Sequence, residues 1–262
     1  MAPPAASSPA RTREAGIWMF ARYAYAPNAL GYCGPPGTLA LRAGSPEEIR
    51  AAARQFTGVW PYLRVMGRLC GISDPLDGRL VESYWHGGGV GAALDRATFL
   101  RELLAVIGPV AGHYWTHLTA ELTEEAAPDH GFHVFGVYPW TRLLGRGADE
   151  TAVHVLDSCR ISPALVVARD GPELTVRIRP LHWDGHRLTL STPEIRHLPA
   201  ADDDYDAIPD ATPGDIIALH WNHPCGRLTP DQLHNLATST DRQLAMTNRR
   251  LEGPLPAGDP HG

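Results

Sequence analysis

The spacing of apolar residues changes character near Glu150, and this change most limits what the chain can fold into. Before it, apolar residues recur every three to four positions, which builds one face of a helix. "SPEEIRAAARQF" opens with a capping box, with Ser45 as N-cap, Pro46 first in the helix and Glu48 reaching back. Ile49, Ala52, Ala53 and Phe56 then share a face. "WPYLRVMGRLCGI" and "DRATFLRELLAVIG" predict two more helices, and "PVAGHYWTHLTAELTEEA" a fourth opened by Pro109. "FHVFGVYPW" reads as a short extended piece. After Glu150, Leu174, Val176 and Ile178 alternate with polar residues behind a turn at Asp170-Gly171. A second turn falls at Asp184-Gly185, and "DIIALHW" is a buried-strand run. Thr229 and Gln232 then cap a final helix carrying Leu233, Leu236 and Leu244. The expected class is α+β, a mainly helical domain over 16–150 and a small β-barrel with a C-terminal helix over 151–250. Residues 1–15 and 251–262, rich in Pro and small residues, read as disordered or flexible tails.

Composition removes several function classes. All basic residues are arginine, so neither a Walker-A lysine nor a lysine Schiff base is available. A net charge of −6 argues against a nucleic-acid surface. No run is long enough to span a membrane and no signal peptide is visible. The cysteines Cys33, Cys70, Cys159 and Cys225 are widely spaced, which fits reduced thiols and a cytoplasmic location.

Four features could carry chemistry, and for each the alternative is ordinary packing or loop structure. The first is Cys159-Arg-Ile-Ser-Pro163, followed in order by a hairpin, Gly214-Asp215-Ile-Ile-Ala-Leu-His220, Arg227-Leu228 and a helix. Over roughly 152–250 this order resembles the HypC/HybG-type hydrogenase maturation chaperones. The resemblance implies an OB-like barrel that carries iron bearing cyanide and carbonyl ligands. It also implies binding to the large-subunit precursor of a nickel–iron hydrogenase or to other maturation factors. By motif it assigns the metal to Cys159 and His220, and partner contact to Cys159, Pro163 and His220. The chain departs from that family by placing a whole domain before the cysteine and an acidic insert at Thr192–Thr212. The helical half faintly resembles an uncharacterised bacterial domain found in hydrogenase-related settings.

The second feature is His113 with His117, spaced i, i+4 on the expected fourth helix and able to clip zinc. His133, and His130 beside it, would complete that site. The third is Cys33 in "GYCGPPG", a loop thiol that needs a histidine such as His86 or His133 to act as a nucleophile. The fourth, "HGGGVGA", is similar to an oxyanion loop or a dinucleotide fingerprint but lacks the elements either requires, and reads as a flexible loop. The expectations are therefore a hydrogenase-maturation accessory protein, or else a cysteine- or metal-dependent enzyme built on the helical half. Plain scaffolding is the third.

Overall fold

The computed structural model describes residues 9–37, 39–110, 117–201 and 206–252. Helices α1 (Pro9–Ala29), α2 (Leu39–Ala43), α3 (Pro46–Ala53), α4 (Trp60–Cys70), α5 (Gly78–His86) and α6 (Arg96–Ile107) form the first half. The Ser45 box closes as expected: Glu48 N–H donates to Ser45 Oγ (3.3 Å), and Ser45 N–H to Glu48 Oε2 (2.7 Å). Phe20, Phe56, Leu63, Leu80 and Phe99 lie at the centre of the apolar core these helices share. That core also takes in Ile161, Ala218, Cys225 and Leu236 from the second half.

The second half follows the expected order of α+β elements. Strands β1 (Ser162–Asp170), β2 (Glu173–Ile178), β5 (Glu194–Pro199), β6 (Ile216–His220) and β7 (His223–Arg227) form an antiparallel sheet in the order β5-β2-β1-β6-β7. Strands β3 (Leu181–Trp183) and β4 (Leu188–Leu190) make a separate ribbon across the Asp184-Gly185 turn. Among the described residues the five-stranded sheet stays open, so the expected barrel does not close. Leu174, Val176 and Ile178 face its core, as their alternation requires. Helix α9 (Pro230–Glu252) begins at the reciprocal cap between Thr229 and Gln232.

Local structure departs from the sequence expectations at several points. The chain is already helical at Pro9, inside the expected tail; residues 1–8 and 253–262 lie outside the described residues. His113 does too, and His117 sits in a turn before a short 3-10 helix, Ala120–Glu124, so no long helix carries it. "FHVFGVYPW" is helical, not extended. His130–Phe132 (α7) runs into a π-helical turn at His133–Val137, then a 3-10 turn at Pro139–Arg142. Cys159 ends helix α8 (Asp149–Cys159) instead of opening a strand. The insert contributes edge strand β5, and Ala200, Ile208 and Ala211 pack into the sheet core.

Candidate metal centre

Pairing between β1 and β6 explains how residues far apart in sequence meet. Ser162 stands opposite Leu219, so the end of α8 lies beside the end of β6. A hydrogen bond from the Trp221 backbone N–H to the Ser158 carbonyl (2.7 Å) ties the two ends together. Arg160, just after Cys159, is buried with its guanidinium on Asp157 (2.8 Å) and on the Arg179 carbonyl (2.6 Å). These contacts fix the backbone on either side of the thiol. Cys159 and His220, the pair assigned by motif, therefore do converge.

A third side chain joins them. His130 starts α7, whose N-cap Asp129 accepts from Phe132 N–H (2.9 Å) and from the Ser239 hydroxyl on α9 (2.9 Å). One ligand atom each from His130, Cys159 and His220 lies within 4.8 Å of the others. His130 Nε2 is 4.0 Å from Cys159 Sγ. Two ligands of a tetrahedral zinc ion stand about 3.5 Å apart, so small side-chain adjustments would close the set on an ion. All three residues are buried.

Hydrogen bonds decide which ring nitrogens can ligate. His220 Nδ1 lies 2.7 Å from the Tyr23 carbonyl, which can only accept, so Nδ1 carries the proton. Nε2 then holds a lone pair; it is buried and makes no hydrogen bond of good geometry, with the Cys159 backbone close to the ring. A backbone carbonyl behind a histidine, with the distal nitrogen bare, is the arrangement that orients a metal ligand. His130 Nε2 donates to the Cys159 carbonyl (2.8 Å), while Tyr84 Oη stands 3.1 Å from Nδ1. An ion on Nε2 requires that the proton move to Nδ1, where Tyr84 Oη accepts it, and that the ring turn away from the Cys159 carbonyl.

Burial sets the charge state. It lowers His220 to about 4, and holds His130 well below the usual imidazole range. Both rings are neutral at pH 7, as ligands must be. Burial also pushes the Cys159 thiol up, although the neighbouring Trp221 indole N–H favours the thiolate. A cation is what would offset this penalty.

The three residues line a cavity of about 490 Å³. Cys33, Tyr62, Trp85, His133, Tyr138 and Trp221 line it as well. Tyr32, half exposed, stacks on Trp221 at 3.8 Å between ring centroids. Trp221 and Asn222 form the two-residue turn between β6 and β7, with φ of 54° and 58°. A bulky aromatic residue in that left-handed region is strained, and such strain clusters at functional sites.

The remaining sequence candidates separate. His133 shares the cavity, with Nδ1 unbonded and burial lowering it to about 3. His117 instead bonds the Val137 carbonyl (2.8 Å) through Nε2. Among the described residues His117 and His133 form no ligand group. Cys33 lines the cavity, but burial raises its thiol to about 12, so no activated nucleophile forms. His86 bonds Tyr23 Oη (2.6 Å). Pro163 lies on β1 and lines a different cavity, beyond the metal cluster. The sequence marked Cys159 and His220, but set His130 beside the wrong partners. Asp129 three residues ahead of Phe132, in "PDHGF", is the local signal that a capped turn begins at His130.

No curated protein and no solved structure matches this chain. One family model does, over residues 12–254, which includes every residue of the cluster. The chain belongs to that family, described as a family of unknown function, DUF6390.

Proposed function

We propose that this protein binds one first-row transition-metal ion through His130, Cys159 and His220, and uses it on a small molecule held in the adjoining cavity. The observation that carries this is the buried His220 ring, held through Nδ1 by the Tyr23 carbonyl, with a thiol and a second imidazole within 4.8 Å of one of its ligand atoms. Two imidazoles and a thiolate suit zinc first, with iron or copper also accommodated. Three protein ligands leave a position open, as in catalytic rather than structural zinc sites. That position would face the cavity, where His133 stays neutral and can accept a hydrogen bond. The test is metal analysis of the purified protein, with X-ray absorption to count ligands. One ion held by a single sulfur and two imidazoles is the expected result. Loss of the sulfur shell in Cys159→Ser, with metal retained in His117→Ala, separates this set from the other histidines.

A second reading has its own support. Cys159 and His220 are the residues that the resemblance to hydrogenase maturation chaperones assigns to iron and client contact, and they meet in space. In that reading the ion is iron, carried for a nickel–iron hydrogenase large-subunit precursor. Co-purification with that precursor, lost in Cys159→Ser, would favour it. A metal that stays bound through purification, with no precursor retained, would favour the cavity chemistry.

A further inference from the structure

A metal on the cavity floor accounts for His220 but not for the walls above it. Among the described residues no Asp, Glu or Arg lines this cavity, and the chain has no lysine to supply. A charged guest would lose its water and find no counter-charge, which is strongly unfavourable. The walls are instead aromatic and aliphatic, with Tyr138 and the Tyr32–Trp221 stack among them. They nevertheless hold polar atoms without protein partners. Tyr62 and Trp85 line the cavity, and the Tyr62 hydroxyl and the Trp85 indole nitrogen are buried without a hydrogen bond, whereas the Trp221 indole N–H is turned to the Cys159 thiol. Buried polar groups are nearly always satisfied, so exceptions in a cavity wall point to something that enters it. Indole N–H can only donate. The guest must therefore accept.

We propose that the cavity takes an uncharged, mainly apolar or aromatic small molecule bearing at least one hydrogen-bond acceptor, which the Trp85 and Tyr62 donors engage. Its chemistry rests on the metal reading above; its binding does not. The donors and rings stand whether or not an ion is present. The three ligands together give a bound divalent ion a net positive charge, which could attract a carboxylate directly. The discriminating experiment therefore uses protein stripped of metal.

Acetophenone, toluene, benzoate and benzylammonium are titrated calorimetrically into the chelator-treated full chain. Acetophenone is expected to bind about tenfold or more tightly than either charged probe, and about fivefold more tightly than toluene, which lacks the acceptor. Val155→Trp, which fills the cavity from α8, should abolish acetophenone binding, with circular dichroism reporting the fold. The probe ranking in the native chain needs no variant and decides the matter if Val155→Trp does not fold. Asp206→Ala, on the outer sheet where Asp206 pairs with Arg169, should keep acetophenone affinity within about threefold. Equal or tighter binding of benzoate or benzylammonium overturns the proposal, as does no measurable acetophenone binding. Acetophenone binding in a chain that takes up no metal would leave this proposal standing and defeat the metal reading. Metal uptake without acetophenone binding would do the reverse.

Discussion

The cavity and the outer sheet treat polar groups in opposite ways. On the sheet, Arg169 pairs with Asp206 (2.7 Å) and Arg227 with Asp215 (2.9 Å), and the apolar residues of β2 close a continuous core. Around the cavity, Tyr62, Trp85 and His133 bury polar atoms without partners, and Trp221 takes a left-handed backbone. Polar groups left bare in a cavity wall are a departure from the consistency that the sheet keeps. The sheet therefore reads as a support, and the cavity wall as the working surface. Each of the following experiments should break or sharpen that contrast.

The largest difference should come from the ligands. His220→Ala is expected to lower metal affinity by about a hundredfold or more, measured by competition with a chelator. Leu174→Ala on the sheet should cost about 2–5 kcal/mol in denaturant unfolding, because Leu174 is wholly buried. Metal bound per folded molecule should not change. If both variants lose metal equally, the two regions are not separable.

Acid should also single out the cavity side. Burial lowers the pKa of His86, His130, His133 and His220. Unfolded, each takes up a proton near pH 6.5, whereas the folded rings stay neutral down to about 4 for His86 and His220. Between those values the unfolded chain binds more protons, so stability falls with falling pH. The slope is about 1.4 kcal/mol per pH unit for each histidine. Asp129, raised by burial, works against this at the low end. Unfolding curves of the chelator-treated protein from pH 7 to 5 measure the slope, and His133→Phe should flatten it.

A smaller effect is expected at the cap. Asp129→Ala removes the acceptor for Phe132 N–H and Ser239, and should cost about 1–2 kcal/mol. Metal affinity should fall about tenfold as His130 loses its fixed start. The smallest effect should be Asp206→Ala, at about 1 kcal/mol or less, with no change in metal.

Much of the framework was legible because it is local. Capping at Ser45 and Thr229, the turns at Asp170-Gly171 and Asp184-Gly185, and the alternation of β2 are set by neighbours in sequence. Two of the three ligands were legible as well, since Cys159 and His220 flank strands whose order could be read. His130 was not, because its place depends on a π-helical turn and on contacts with α8 and α9. No period in the sequence marks a π-helical turn. The whole of α8 was missed, because the expected barrel begins at residue 151, where the helix is already under way.

The central claim is that His130, Cys159 and His220 hold one ion together. Cobalt(II) titration of the native chain, followed by absorption, tests it most directly. The account predicts saturation at one equivalent, with a thiolate-to-cobalt charge-transfer band that is absent in Cys159→Ser and weakened in His130→Ala and His220→Ala. No binding at one equivalent, or a band that survives Cys159→Ser, would contradict it.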